Sequence, residues 1–203
     1  MIDERLYQQF RDIGRDLYVA GLTSSHGGNI SVRLGDRVVI KRRGAMLGRL
    51  KPEDLIETGL EKNDSGVVLA STELIVHRAI YLATPALAIV HAHTRTAISL
   101  SLSRDEIIPI DNEASYLLKK VPVLQVEFAS GTPDMANTIA EGLKEYKIVM
   151  LRGHGCFSTG QTLDEAFMWA SVLEECCDII LEQKIINEPF IQYRKMADQY
   201  NKW

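Results

Sequence analysis

Several features that define large classes of protein are missing from this sequence. No apolar run in its 203 residues approaches the length that spans a bilayer, and the first residues, Met1–Arg5, are charged rather than signal-like. Basic residues are not in excess, since the formal net charge is −4 and the one basic cluster is Lys41-Arg42-Arg43. We therefore expect neither a membrane nor a nucleic acid as the partner.

Cysteine is scarce, and Cys176 and Cys177 are adjacent. An odd number of cysteines with two neighbours gives no disulfide framework, so we expect a reducing cytoplasm. Cys156 lies two residues after His154, and we interpret it as a small buried strand residue rather than a soft metal ligand. Repeats, low-complexity tracts and Pro- or Ser-rich linkers are also missing. With 46% hydrophobic residues the chain can bury its own core, and we expect residues 1–203 to form a single domain.

Hydrophobic spacing predicts strands that alternate with helices. Apolar residues three and four apart indicate helices, and short aliphatic runs between polar or glycine residues indicate strands. The predicted helices cover 3–21, 71–82, 133–143, 163–184 and a stretch from Pro189 to the aromatic end at Tyr200 and Trp203; the predicted strands cover 30–32, 37–40, 87–90, 123–128 and 148–151. This alternation predicts an α/β layered domain. The aromatic residues of the last helix are expected to cap the core or cover a neighbouring subunit.

Three of the five histidines are the most informative residues of the chain. His91 and His93 follow the apolar run 87–90, and His154 follows the run 148–151. Alternate side chains of a strand share a face, so His91 and His93 are expected to point the same way. An imidazole at the end of a neighbouring strand would complete three ligands and leave an open position, which describes a catalytic metal site. The alternative is that each histidine is a hydrogen-bonded, partly buried residue with no metal.

A glycine-rich segment, Ser24–Asn29, separates the first predicted helix from the first hairpin. A residue such as Gly28 lets the backbone approach an anion closely, and the hydroxyls and the Asn29 amide can donate hydrogen bonds to it. The alternative role of this segment is an ordinary connection between a helix and a strand.

A second polar segment, Ser71–Glu73, opens a predicted helix, with Ser71 or Thr72 as its cap and Glu73 in the first turn. The hydroxyls of Ser71 and Thr72 at a helix amino terminus make a seat for an anion. Glu73 beside that seat can ligate a metal or act as a base, or it can simply complement the helix dipole. We interpret His77, one turn later, as a packing or supporting residue rather than a fourth imidazole ligand.

Together, these motifs resemble the class II aldolase/adducin family and, within it, the fuculose-phosphate aldolases. The resembling segments are Gly27–Arg33, Gly44, Ser71–Glu73, His91–His93, Gly153–Gly155 and the long helix after Leu163. Each motif alone is weak, but the ordered set covers nearly the whole chain and is specific. The resemblance implies a three-layer α/β/α domain with a central, mostly antiparallel sheet. It also implies a cyclic homotetramer with active sites at the subunit interfaces.

The resemblance further implies a catalytic zinc ion. Manganese, cobalt and iron also suit such ligands. The expected metal ligands are Glu73, His91, His93 and His154. The expected phosphate-binding residues are Gly28, Asn29, Arg43, Gly44, Ser71 and Thr72. The implied reaction cleaves a small ketose 1-phosphate, such as fuculose 1-phosphate, to dihydroxyacetone phosphate and an aldehyde through a metal-stabilised enediolate. Glu73 is the expected acid/base that moves the proton.

The sequence departs from the aldolase pattern at two places. Arg43 stands where these aldolases usually carry threonine. If Arg43 faces the site, it adds a planar donor for an extra acid group or a stronger phosphate clamp; otherwise it is a surface charge. The region that holds a catalytic tyrosine in the aldolases is shorter here, and Glu113 and Tyr116 are the polar candidates. The proton donor on the aldehyde side therefore stays unassigned.

Other functions share this scaffold. A sugar-phosphate 4-epimerase would use related chemistry, but the family's epimerases tend to have aspartate at the position of Glu73. A metal-dependent decarboxylase or dehydratase acting on a related phosphate or acid is a further alternative, and Arg43 is the feature that would favour an acid substrate. An adducin-like binding module would be expected to lose the ligand histidines, and all three are present.

Overall fold

A central eight-stranded sheet organises the part of the chain that the structure, a computed structural model, describes, which is residues 2–193. The strands are β1 (Asn29–Leu34), β2 (Arg37–Lys41), β3 (Leu55–Gly59), β4 (Ala88–Ala92), β5 (Glu106–Ile107), β6 (Val121–Leu124), β7 (Ile148–Leu151) and β8 (Gly155–Gly160). Their spatial order is β3-β2-β1-β4-β8-β7-β6-β5. Every neighbouring pair is antiparallel except β6 and β7. The expected mostly antiparallel sheet is confirmed.

Helices cover both faces of this sheet. They are α1 (Glu4–Val19), α2 (Leu74–Ala83), α3 (Arg95–Ser101), α4 (Asn112–Leu117), α5 (Pro133–Glu145) and α6 (Leu163–Ile186), with short 3-10 turns at Leu47–Arg49, Pro52–Asp54 and Ser65–Val68. Helices α1, α3, α4 and α6 contribute to one apolar core, and α2 and α5 to another on the opposite face. The fold therefore has the three α/β/α layers that the sequence predicts. Within residues 2–193, no helix combines the length and hydropathy needed to cross a membrane.

Strand β4 is buried on both faces, as its aliphatic composition predicts. Val90 belongs to the core under α1 and α6, whereas Ile89 belongs to the core under α2 and α5. His91 follows the same alternation, and its ring stacks on Phe157 of the second core at a centroid distance of 3.9 Å. The imidazole is therefore directed towards the α2 layer.

The predicted strand over 123–128 is placed wrongly at both ends, since β6 covers Val121–Leu124. Its partner β7 ends at Leu151, which pairs with Leu124. Beyond that pair β6 has no neighbour with which to continue the ladder. Since a strand persists only while its backbone groups have partners, β6 ends there. Residues 125–131 instead form a loop that brings Gly131 against the Thr72 carbonyl.

The start of α2 also differs from the prediction. The helix begins at Leu74, so Glu73 occupies the N-cap position and no side chain caps the helix. Ser71 is not the cap, because its hydroxyl accepts from the Glu73 N–H and its carbonyl accepts from the Leu74 N–H in a turn before the helix. The Ser71 N–H is bound to the Lys41 carbonyl, which ties this turn to the end of β2.

At the carboxyl end, α6 stops where Asn187 adopts a left-handed conformation with φ 54°. Residues 187–193 contain no helix, so the helix predicted from Pro189 does not begin there. The rest of that prediction, including Tyr200 and Trp203, lies outside the described residues. The predicted β1–β2 hairpin is confirmed, with Gly35 at a positive φ of 63° in its turn.

Candidate metal centre

The three predicted ligand histidines meet at one end of the sheet because β8 pairs with β4. His91 lies in β4, and His93 follows the end of that strand, where its backbone N–H donates to the Leu22 carbonyl at 2.8 Å. His154 lies in the turn between β7 and β8. The register sets Ala92 of β4 opposite Cys156 of β8, so the turn that carries His154 lies beside the end of β4. We call His91, His93 and His154 the histidine cluster.

The imidazole nitrogens of the histidine cluster face one another. His91 Nε2 lies 3.1 Å from His93 Nε2 and 3.2 Å from His154 Nε2. His91 Nδ1 lies 2.9 Å from the Cys156 carbonyl, which can only accept, so this nitrogen carries the ring proton and Nε2 presents a lone pair. That single lone pair cannot accept a hydrogen bond from both neighbours. A cation is the partner that would satisfy all three nitrogens together.

Burial favours the neutral form of His91 and His93. It lowers the pKa of His91 well below its ordinary value, and repulsion from His93 and His154 adds to the effect. The pKa of His93 is also lowered, mainly by burial and then by His154. Neutral imidazole is the form that binds a metal ion.

Glu73 adds a carboxylate to the potential metal ligands of the histidine cluster. Its Oε2 lies 3.3 Å from His91 Nε2, and its Oε1 lies 3.5 Å from His154 Nε2. The carboxylate is held by the Asn29 side-chain amide, which donates to Oε2 at 2.7 Å. The turn before α2 therefore directs one carboxylate towards three imidazoles.

These residues fit a divalent metal ion. The three imidazole ligand atoms lie within 4.8 Å of one another. Tetrahedral ligands at about 2.0–2.1 Å from zinc are about 3.3 Å apart, close to the separations between these nitrogens. Cys156 does not join them: it is buried in β8, and burial raises the pKa of its thiol to about 12. Its interpretation as a buried strand residue is confirmed.

A cleft of about 260 Å³ opens beside the histidine cluster. The expected site residues that line it are Gly28, Asn29, Arg43, Gly44, Ser71, Thr72, Glu73, His93 and His154. His91 lies behind this wall and is fully buried. The structure therefore brings together all the residues to which the sequence assigned metal or phosphate contacts.

Lys41 lines the cleft and was not expected there. Its side chain is buried, and its ammonium donates to the Ala45 carbonyl at 2.8 Å and to the His26 carbonyl at 3.4 Å. Burial lowers the pKa of Lys41, and the nearby charge of Glu73 opposes that shift. Its position at the end of β2, two residues before Arg43, is the sequence signal that would have found it.

Arg43 also lines the cleft, as its expected role in anion binding requires. Its side chain is exposed, and Gly44 next to it adopts a positive φ of 74°. Among residues 2–193, the Arg43 guanidinium has no hydrogen-bond or ion-pair partner. It is therefore a free two-pronged donor at the mouth of the cleft.

Other polar candidates lie elsewhere. Glu113 and Tyr116 belong to α4, on the other face of the sheet, and neither lines the cleft. His77 stays outside the histidine cluster, fully buried and bonded to Asn29 and Ser31, as its predicted supporting role requires. Ser130 lines the cleft from the loop after β6, and no spacing in the sequence indicates it.

Comparison with known proteins gives consistent matches. The family model for the class II aldolase and adducin N-terminal domain matches residues 8–181. An L-fuculose phosphate aldolase of Methanocaldococcus jannaschii is 29% identical over 184 residues, which are 89% of this chain and 98% of that protein. A 3-oxo-tetronate 4-phosphate decarboxylase of Haemophilus influenzae is 34% identical over 169 residues, 80% of each chain. The crystal structure of L-fuculose-1-phosphate aldolase from Thermus thermophilus superposes with a TM-score of 0.87 at 39% identity, covering 93% of this chain and 100% of that one.

Proposed function

The chain belongs to the class II aldolase and adducin family, as an enzyme of its aldolase and lyase class, and we propose that it cleaves a small ketose 1-phosphate resembling fuculose 1-phosphate. The products would be dihydroxyacetone phosphate and an aldehyde. One observation carries this proposal: three imidazoles and a carboxylate converge at the wall of a cleft that also contains hydroxyls and cations.

The proposed metal ligands are His91, His93, His154 and Glu73. A divalent ion bound there would act as a Lewis acid on the hydroxyl and carbonyl oxygens of the substrate. Among residues 2–193, Glu73 is the one carboxylate that lines the cleft, and its Oε1 is not the oxygen that accepts from Asn29. We assign to Glu73 the transfer of the proton during carbon–carbon cleavage. Zinc, manganese, cobalt and iron all suit this donor set, and zinc is our first choice.

The phosphate is proposed to occupy the part of the cleft away from the histidine cluster. Ser71 and Thr72 supply hydroxyl donors, and Arg43 supplies a charged fork that matches phosphate oxygens. Gly28 and Gly44 bring the backbone close, and positive φ values of 67° and 74° suit them to these turns. Holding the phosphate fixes the reacting carbons relative to Glu73, which lowers the entropic part of the barrier.

A second candidate is decarboxylation of a phosphorylated sugar acid. In the part of the chain that the structure describes, two cationic side chains, Lys41 and Arg43, line the cleft, whereas Glu73 is the one carboxylate there. This excess of positive charge suits a substrate with a carboxylate as well as a phosphate. The Haemophilus influenzae decarboxylase at 34% identity supports the same alternative. A 4-epimerase is less well supported because Glu73 is not aspartate, and an adducin-like binding role does not explain the retained ligands.

We further propose a cytoplasmic homotetramer with active sites at the subunit interfaces. Val68 and Phe128 are 74% and 67% exposed, and they lie two or three residues along the chain from the cleft residues Ser71 and Ser130. Apolar side chains of that size beside a cleft are suited to contact with a second subunit. The cysteines at 156, 176 and 177 are free and buried, in keeping with a reducing compartment. Sedimentation of the purified chain would test the tetramer.

The decisive experiment is a cleavage assay with the chelator-stripped chain reloaded separately with zinc, manganese, cobalt or iron. Release of dihydroxyacetone phosphate is followed over a panel of ketose 1-phosphates, with His93→Ala as the matched variant. Metal-dependent release that is lost in the variant is the expected result. Carbon dioxide release from a phosphorylated 3-oxo sugar acid, without ketose cleavage, would establish the decarboxylase instead. Turnover that persists after metal removal would contradict both candidates.

A further inference from the structure

Five buried polar side chains interleave between β1 and α2. Asn29 and Ser31 are alternate residues of β1 and share a face, while Glu73, His77 and Tyr81 follow one another at four-residue spacing along α2 and its N-cap. Residues of the two elements alternate along the set, in the order Tyr81, Ser31, His77, Asn29, Glu73. We call this set the polar ladder.

Four short hydrogen bonds connect the polar ladder. Tyr81 Oη lies 2.7 Å from Ser31 Oγ, and Ser31 Oγ lies 2.6 Å from His77 Nδ1. His77 Nε2 lies 2.5 Å from Asn29 Oδ1, and Asn29 Nδ2 lies 2.7 Å from Glu73 Oε2. Ser31 and His77 are fully buried, and no member of the ladder is more than 7% exposed. Water therefore has little access to these bonds.

The donors and acceptors of the polar ladder can be assigned from Glu73 outward. The ionised Glu73 carboxylate only accepts, so the Asn29 amide nitrogen donates to it and the amide oxygen faces His77. That oxygen only accepts, so His77 carries its proton on Nε2. Burial lowers the pKa of His77 to about 3, so the ring is neutral and its Nδ1 accepts. Ser31 then donates to Nδ1, and the Tyr81 hydroxyl donates to Ser31.

We propose that Tyr81, Ser31 and His77 are positioning residues that fix the orientation of the Asn29 amide and, through it, the Glu73 carboxylate. Every donor in the polar ladder points towards Glu73, so no link can reverse without leaving a buried group unsatisfied. The inference rests on the proposed function in one respect, the role it gives Glu73 as metal ligand and proton carrier. It also gives Asn29 a second task beside the expected contact with phosphate.

The surroundings of the polar ladder support a role beyond packing. Its members lie in the layer formed by apolar residues such as Ile80, Ile89 and Phe157. Apolar side chains would fill this space without hydrogen bonds, whereas buried polar groups are costly unless every partner is present. A fully satisfied and directed network holds its last member in one orientation. That last member is the carboxylate beside the histidine cluster.

The test compares His77→Leu, which removes both bonds of the imidazole, with His77→Gln, whose amide can donate to Asn29 and accept from Ser31. Zinc affinity of the full chain is measured by competition with a chelating dye. Loss of a partner of a ligand typically weakens metal binding about 10- to 100-fold. We expect His77→Leu to fall in that range and His77→Gln to recover much of the affinity. Equal affinity in both folded variants and the natural chain would overturn the proposal.

Ser31→Ala and Ser158→Ala form a matched pair for catalysis. Ser158 is also fully buried in the same sheet, and its hydroxyl bonds to the Val90 and Ala166 carbonyls rather than to the polar ladder. Ser31→Ala removes the donor to His77, two links before the Asn29 amide that holds Glu73, so kcat is expected to fall about tenfold, the low end of the range for a ligand's direct partner, with KM little changed. Ser158→Ala is expected to leave both unchanged. The same loss in both variants would indicate a general structural effect and would overturn the positioning role.

A nitrogen NMR experiment on the metal-free natural chain tests the direction of the ladder without substrate or variants. The chemical shifts of the His77 ring are expected to show the proton on Nε2 and an unprotonated Nδ1. A proton on Nδ1 would overturn the assignment even if His77→Leu failed to fold. Absence of cleavage by the metal-loaded natural chain would instead reject the proposed function, while the affinity and NMR results would still decide on the ladder.

Discussion

The histidine cluster and the polar ladder both lie against Glu73 at the start of α2, but they differ in how their polar groups are satisfied. In the ladder each buried donor faces an acceptor, from the Tyr81 hydroxyl to the Glu73 carboxylate. In the cluster the Nδ1–H of His91 donates to the Cys156 carbonyl, and the lone pair on its Nε2 faces two further imidazoles.

This difference separates structural from ligand-binding polarity. A buried network that is complete within the chain holds its members in place and has no need of a ligand. A convergence of imidazole nitrogens that lack partners within the described chain is incomplete, and such a set is suited to bind a cation. Glu73 belongs to both regions, because its Oε2 accepts from Asn29 of the ladder and both of its oxygens lie within 3.5 Å of a cluster nitrogen. Glu73 is therefore the residue that connects the supporting network to the proposed metal site.

Removal of a cluster nitrogen should give the largest effect. His93→Ala deletes one of three converging imidazoles, and a ligand is expected to matter more than a supporting partner, whose loss costs about 10- to 100-fold. We therefore expect metal affinity and kcat/KM to fall by more than about 100-fold, measured by dye competition and by the cleavage assay. Ser158→Ala is the control. Retention of metal affinity by His93→Ala would mean that the nitrogens do not act as one site.

Arg43 extends the comparison to the mouth of the cleft, because it too is a polar group that the described chain leaves unpaired. Arg43→Met is expected to raise KM about tenfold with kcat little changed, since a hydrogen bond to a charged group contributes about 1.5–3 kcal/mol. Arg42→Met is the matched control, because Arg42 is exposed but does not line the cleft. Inorganic phosphate should also inhibit Arg43→Met less. Equal KM values in the two variants would place the anion elsewhere.

The sequence predicted the cluster better than the ladder, and sheet geometry explains why. Short aliphatic runs followed by His91 and His154 are local signals, and strand pairing brings the ends of such runs together. The ladder depends on how α2 packs against β1, across separations of 44 to 50 residues. No local pattern sets that packing, so Asn29 was assigned to phosphate alone and His77 only to a general supporting role.

The predicted boundaries of β6 and α2 were wrong for the same reason. Strand β6 ends early because β7 ends, and α2 starts late because Ser71 is tied to Lys41 of β2. Lys41 appeared in the sequence as part of a basic cluster, yet the carbonyls of Ala45 and His26 hold it in the cleft wall. Long-range partners decide such details, and a single sequence does not reveal them.

The pH dependence of stability should distinguish the ladder histidine. The folded pKa of His77 is lowered to about 3, whereas an unfolded histidine titrates near about 6.5. Between these values the unfolded chain binds a proton that the folded chain does not, so stability is lost as pH falls below about 6.5. The loss from this group is about 1.4 kcal/mol per pH unit.

Urea unfolding of the metal-free natural chain and of His77→Gln, at pH 6.5 and 5.5, isolates this effect. The cluster histidines are present in both proteins, so their contribution cancels. The free energy of unfolding of the natural chain should fall more steeply, by somewhat less than about 1.4 kcal/mol over this interval. Parallel curves would show that His77 is not held neutral, which would contradict the assigned direction of the ladder.

Removal of the donor at the far end of the ladder should give the smallest effect. Tyr81→Phe deletes a buried hydroxyl but leaves no donor unpaired, because Ser31 still donates to His77. The expected loss is therefore that of one neutral hydrogen bond, about 0.5–1.5 kcal/mol in the free energy of unfolding. Urea unfolding measures it at pH 7, where His77 is neutral in the folded and mostly neutral in the unfolded chain. An unchanged stability would mean that the Tyr81 hydroxyl does not donate to Ser31, and the ladder would then begin at Ser31.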